Sequence, residues 1–184
     1  MPGGLYTSRL HLRPLAQGDE RLYCSLYTGA EVMRHVSTPL TPEAAERAFR
    51  AVLRQLAAEP PQSRYWILAP REGGADLGLM AWVPDRDDAS SAEVGLLLVV
   101  PAQCRGYAAE AIAVLADEVF AVPPLQRLWT RHASDNAAAT GLMRKLGFQR
   151  MEDTTGPAPV RWQLQRQVWA TRRLPGFASL PASC

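Results

Sequence analysis

The run Glu93-Val94-Gly95-Leu96-Leu97-Leu98-Val99-Val100 restricts the fold more than any other stretch of the chain. After its first residue it carries no polar side chain, so it lacks the alternation of a strand with one wet face. Such a run reads as a strand buried on both faces. It feeds a short loop, and beyond Gly106 comes a helix with Ile112, Leu115, Ala116 and Val119 on its inner side. A covered strand followed by a packed helix is the unit of a layered α/β domain.

The remaining segments fill in that domain. Leu10 and Leu12 alternate with Arg9, His11 and Arg13 before Pro14, which predicts a first strand. Asp19 is placed to cap a short helix with Leu22, Tyr23, Leu26 and Tyr27 on one face. Thr41-Pro42-Glu43 opens a longer helix: Thr41 caps, Pro42 suits the first turn and Glu43 complements the dipole. Ala45, Phe49, Val52, Leu53 and Leu56 follow at helical spacing until Pro60-Pro61. Arg64 to Ala69 and Leu77 to Val83 read as strands joined through Glu72-Gly73-Gly74. Leu125 to His132 is a further strand, Asn136 to Leu146 a helix ended by Gly147, and Trp162, Leu164, Arg166 and Val168 predict a long antiparallel strand. The sum is one mixed α/β domain over residues 1–184.

Composition narrows the function. A net charge of +2 without a Lys/Arg run argues against nucleic acid. The chain has no apolar stretch near the roughly 18 residues of a membrane span and no signal-like N-terminus, so a cytoplasmic protein is expected. Cys24, Cys104 and Cys184 share no metal-like spacing and form no closed disulfide set. His11, His35 and His132 are scattered, so no metal is expected. Nothing in the chain reads as a marker of oligomeric state.

The chemistry sits in Val99-Val100-Pro101-Ala102-Gln103-Cys104-Arg105-Gly106-Tyr107-Ala108-Ala109-Glu110-Ala111. Gly106 and Ala108 are small enough for a ligand to approach the backbone. The first amides of the helix have no partner within it, and with the helix dipole they suit a phosphate or pyrophosphate. Taken alone, the same residues also fit a tight turn without a ligand. A phosphate loop of the G-x-x-x-x-G-K-[ST] type and a G-x-G-x-x-G after a first strand are both missing.

The hexapeptide Gln103-Cys104-Arg105-Gly106-Tyr107-Ala108 resembles the Q/R-x-x-G-x-G/A signature of the Gcn5-related N-acetyltransferase superfamily. Gly106-Tyr107-Ala108-Ala109-Glu110-Ala111 is similar to the branch that includes ribosomal-protein N-terminal acetyltransferases. Leu10 to Leu15 resembles that branch's opening strand, Glu31 to Val36 its early helix end, and Asn136 with Lys145-Leu146-Gly147-Phe148 its closing N-x(8)-K-x-G-F pattern. The resemblance covers roughly residues 8 to 152. It implies a mostly antiparallel central sheet flanked by helices, with a splayed strand pair, and acetyl-CoA as co-substrate. Backbone amides of Gln103, Cys104, Arg105, Gly106, Tyr107 and Ala108 would hold the CoA pyrophosphate. The strand end at Leu98, Val99 and Val100 would pair with the pantetheine arm. Asn136 would bond that arm too; as a residue it equally reads as a helix cap, and one side chain can serve both. Met143 stands where many members have a Tyr that protonates the leaving thiolate, so the general acid is unassigned. Cys104 replaces a common Gly, and Pro101 lies closer to Gly106 than is usual.

Acyl transfer to nitrogen needs a neutral amine. At pH 7, deprotonation costs about 4.6 kcal/mol for a lysine-like amine and only about 1 kcal/mol for an α-amine. Glu93 is the expected base, with an apolar sequel that raises its pKa; an exposed strand-edge carboxylate is the other reading. Glu110 reads as a packing or dipole residue. Cys104 could carry an acyl group, but direct attack from a ternary complex needs no covalent step. The oxyanion donor is expected to be a backbone amide near Val99. His35 is a candidate for the acceptor pocket, as are Trp66 and Trp82. The expected function is acetyl transfer to the primary amine of a peptide N-terminus or small molecule. A catalytically silent acyl-CoA-binding sensor is the alternative.

Overall fold

The computed structural model describes residues 4–59, 63–152 and 159–172. Its strands are β1 (Leu5–Tyr6), β2 (Leu10–Pro14), β3 (Arg64–Pro70), β4 (Gly78–Pro84), β5 (Ser91–Leu98), β6 (Arg127–His132), β7 (Gln149–Arg150) and β8 (Val160–Gln165). They form one sheet in the order β1-β2-β3-β4-β5-β6-β8-β7. Every neighbouring pair is antiparallel except β5 and β6, which are parallel. The helices are α1 (Glu20–Thr28), α2 (Ala30–Met33), α3 (Pro42–Leu56), α4 (Tyr107–Phe120), α5 (Ala137–Leu146) and α6 (Arg166–Arg172). A mixed, mostly antiparallel sheet flanked by helices is therefore the fold, as the sequence led us to expect.

Strand alternation divides the core between the two faces. Trp66, Leu68, Met80 and Leu98 pack with Ile112, Leu115 and Val119 of α4. Their sequence neighbours Ile67, Leu79 and Leu97 face the other way, onto Tyr23 and Leu26 of α1 and Phe49 and Val52 of α3. The α3 start is as expected: Thr41 Oγ1 accepts from the Ala44 amide at 3.2 Å. The Pro60-Pro61 stop lies outside the described residues.

Three local expectations need correction. Asp19 makes no capping bond to α1. It is buried and accepts from Arg13 through both oxygens, at 2.9 and 2.8 Å, and from the Ala16 amide at 2.8 Å. Burial alone would raise its pKa; the guanidinium and the amide reverse this and hold it below the ordinary carboxylate value. A buried charge demands a partner more strongly than a helix demands a cap. The tail is no long strand: β8 ends at Gln165, and Arg166 and Val168 lie in α6. There Trp169 is buried and donates from Nε1 to Asp117 Oδ1 at 2.8 Å, which anchors the helix on α4. Finally, β5 ends at Leu98. Val99 lies in the following loop and Val100 in a single 3-10 turn to Ala102.

The β4–β5 contact is tight where Gly78 pairs with Leu98. A Cβ at Gly78 would lie 2.1 Å from the Leu97 carbonyl oxygen and 3.0 Å from Leu98 Cα, both backbone atoms that cannot swing aside. Gly78→Ala should lower stability by at least about 2 kcal/mol, read as a fall in Tm and denaturant midpoint. An unchanged midpoint would mean that the two strands are not held at this spacing.

Candidate active site

The β5–β6 ladder stops early. It pairs Ser91 with Arg127, Ala92 with Leu128 and Glu93 with Trp129, and goes no further. Each strand continues with its outer neighbour: β5 pairs with β4 as far as Leu98–Gly78, and β6 with β8 as far as His132–Val160. The two strands therefore part beyond Glu93. In β5 the backbone groups alternate between the two sides. The Val99 amide donates toward β4, to the Leu77 carbonyl at 2.9 Å. By that alternation the N–H and C=O of Leu96 and the N–H of Leu98 point into the gap. Val99 itself is thus not the available amide; its neighbour Leu98 is.

A cavity of about 670 Å³ opens at the parting. Val94, Leu96 and Leu97 line it from β5, Thr130 from β6, and Asn136 and Met143 from the α5 side. Tyr27, His35, Tyr65 and Glu93 line its other end. Gly95, exposed, and Leu96, half-buried, border the gap, so the apolar run is not covered throughout. Its middle is the wall of a cleft.

Glu93 is half-buried, with Oε1 3.2 Å from Nε of Arg131. Burial pushes its pKa above the ordinary carboxylate value, against the pull of Arg131 and Arg161. Asn136 caps α5, its Oδ1 accepting from the Ala139 amide at 2.9 Å, and still borders the cavity. Both expected roles are therefore sterically compatible. His35 lines the cavity, with Nδ1 3.1 Å from Asp135 Oδ1. Neither tryptophan considered for the acceptor pocket lines it; Trp66 is a core residue. Met143 is buried in the wall.

The loop residues Gln103, Cys104, Arg105, Gly106, Tyr107 and Ala108 do not line the cavity; they stand beyond the end of β5. Gln103 Nε2 donates to the Leu98 carbonyl at 3.1 Å, tying the loop to the strand. Cys104 and Gly106 have φ of +56° and +81°, and Gly106 precedes α4 without a side-chain cap. The first α4 amides thus keep their donors for a ligand. Arg9 braces the loop. Its Nε meets Glu110 Oε2 at 2.8 Å, Nη1 donates to the Arg105 carbonyl at 3.1 Å, and the guanidinium lies 4.6 Å from the Tyr107 ring centroid. Glu110 also accepts from the Thr7 hydroxyl, from Ser8 Oγ at 3.1 Å and from the Arg9 amide at 2.9 Å. Burial opposes its ionisation, yet these donors hold its carboxyl below the ordinary value. Glu110 fixes the helix start against the β1–β2 turn.

Sequence reasoning missed three cavity residues: Tyr27, Tyr65 and Arg131. Tyr27 reads as an inner helix face and Tyr65 as an ordinary strand residue. Only the register that sets Arg131 two residues past the Glu93–Trp129 pair reveals the third. Burial, chiefly, raises the pKa of both tyrosines, which stay protonated at neutral pH. Among the described residues no group of three His, Cys, Asp or Glu could hold a metal ion. No helix among them is long and apolar enough to cross a membrane.

The profile of the family described as "Acetyltransferase (GNAT) domain" matches residues 9–149. The chain belongs to this GNAT family. The uncharacterized N-acetyltransferase p20 of Bacillus licheniformis is 26% identical over 147 residues, covering 79% of this chain and 82% of that protein. The spermidine N-acetyltransferase of Vibrio cholerae, solved with CoA and spermine, superposes with a TM-score of 0.73 at 19% identity, covering 89% of this chain and 99% of that one. The aminoglycoside acetyltransferase AAC(6')-Ib, solved with coenzyme A, gives a TM-score of 0.73 at 16% identity, over 88% and 98% of the two chains. This GNAT protein thus shares its fold with acetyltransferases solved with CoA.

Replacing Gly106 places a side chain at φ +81°, beside Arg9 Nη2 at 3.3 Å and the uncapped amides. Gly106→Glu should abolish CoA binding in calorimetry, because its carboxylate competes for and repels the phosphates. Unchanged CoA affinity in a folded variant would remove the loop from the site.

Proposed function

We propose that this GNAT protein moves the acetyl group of acetyl-CoA to a primary amine by direct attack in a ternary complex, with Glu93 as the base. The observation that carries this is the parting of β5 and β6 with a half-buried carboxylate at its inner end. Residues 103–108 would hold the pyrophosphate of acetyl-CoA, the gap-facing backbone of Leu96 and Leu98 would pair with the pantetheine arm, and the Asn136 amide would bond the same arm.

The reaction then needs few groups. Glu93 takes a proton from the ammonium, directly or through one water. The neutral nitrogen attacks the thioester carbonyl, whose developing negative charge the Leu96 amide, the gap-facing donor nearer Glu93, meets. The C–N bond forms and the C–S bond breaks; the departing thiolate takes a proton from a cavity phenol, and the proton that the new amide nitrogen loses restores that phenol. Tyr27 and Tyr65 are the cavity phenols that keep a proton for that step, which fills the role Met143 leaves open. With one carboxylate as base, the site favours α-amines, whose deprotonation costs less, over lysine ε-amines. The resemblance to the ribosomal-protein branch supports the same preference, and the solved spermidine and aminoglycoside enzymes support a small-molecule amine.

A screen of peptides, polyamines, aminoglycosides and amino acids, read as release of free CoA thiol, tests the reading. Release with one of these separates the enzyme from a silent CoA sensor. On the best acceptor, Glu93→Gln should lower kcat by at least about a hundredfold with CoA affinity unchanged. Because burial raises the Glu93 pKa, activity should rise with pH through a limb above the ordinary glutamate value, and the variant should lose that limb. A variant within about twofold of wild type removes Glu93 from the mechanism.

A further inference from the structure

Among the described residues lining the cavity, the full charges are Glu93 and Arg131; the other ionisable side chains are Tyr27, Tyr65, His35 and His132. The two charges touch, at 3.2 Å. A polycationic acceptor would find here a single carboxylate already paired with a guanidinium. An acceptor of the opposite pattern, with a cation and an anion side by side, would meet a complementary charge at each end.

We propose that the acceptor is a small amino acid-like zwitterion, its amine at Glu93 and its carboxylate on the guanidinium of Arg131. This rests on the acetyl-transfer reading above. Arg131 spends Nε on Glu93, and its terminal nitrogens make no hydrogen bond to another described residue. They form the planar fork that receives a carboxylate through two parallel bonds. The side chain is 60% exposed at the cavity edge, so an incoming molecule can reach it. Arg161 of β8 pairs with Arg131 across the ladder, and its guanidinium lies 4.6 Å from the Trp129 ring centroid on the same sheet face. Because Glu93 and Arg131 are in contact, the two charges of the acceptor must also be adjacent, as on one carbon or on neighbouring carbons.

The pairing also assists the chemistry. In a free amino acid the carboxylate holds the proton on the neighbouring ammonium. Once Arg131 neutralises the carboxylate, that hold is released and the amine gives up its proton more readily. One contact would thus read the substrate and ready its amine for the transfer to Glu93. Arg131 acts here as a specificity and positioning residue.

The experiment compares free α-amino acids with their carboxamides and decarboxylated amines as acceptors, in wild type, Arg131→Gln and Arg131→Lys. In wild type, kcat/KM should be at least about tenfold higher for the acids. Arg131→Gln should lower the acid-to-carboxamide ratio of kcat/KM about tenfold, chiefly through KM for the acids, and Arg131→Lys should recover part of that ratio. Equal use of acids and carboxamides by wild type overturns the proposal. So does an Arg131→Gln variant that loses both alike, since that marks a structural role. Thiol release with polyamines, aminoglycosides or peptides but not with amino acids keeps acetyl transfer and rejects the zwitterion. No release with any amine rejects both.

Discussion

The early end of the β5–β6 ladder governs the rest of the structure. Two strands that pair at Glu93–Trp129 and then keep only their outer neighbours leave backbone donors and acceptors facing each other across a gap. Buried backbone groups require partners, so a gap of this kind is a place where a strand-like ligand completes the sheet. The tight β4–β5 contact at Gly78 and the β6–β8 ladder hold the two halves from outside, while α4 and α5 supply side chains to the cavity that opens at the gap.

The second fixed point is the start of α4. A pyrophosphate cradle needs amides held in one orientation, and a glycine at φ +81° cannot provide rigidity by itself. Glu110 provides it by gathering donors from Thr7, Ser8 and Arg9, distant in sequence, onto one carboxylate. For the proposed pyrophosphate site, a carboxylate one turn away is tolerable because its charge is spent on Arg9. The Gln103 bond to the Leu98 carbonyl ties the loop to the strand end that borders the gap.

Much of this was legible in the residues. Periodicity located both helical layers, because Phe49, Val52, Ile112 and Leu115 bury one face each and nothing competes with that demand. Thr41 and Gly147 marked their helix ends through local chemistry alone. The failures have a common cause, which is partners outside the element that carries the residue. Asp19 reads as a cap until Arg13 is seen beside it, and the alternation of Trp162 and Leu164 does not announce that Trp169 will reach Asp117. The site divides the same way. The loop from Gln103 to Ala108 and Asn136 carry local signatures, and the proposed CoA half is drawn from those. Tyr27, Tyr65 and Arg131 belong to three elements that only the folded sheet brings to one cavity.

The most direct test of the strand gap is amide hydrogen exchange followed residue by residue, with and without CoA. If the pantetheine arm completes the sheet, the Leu96 amide should gain at least about tenfold protection on CoA binding. The Gly95 and Leu97 amides, already bonded toward β4, should change far less. Saturation with CoA that protects Leu96 no more than Gly95 and Leu97 would contradict the central claim, because the ligand would then be bound elsewhere than in the gap.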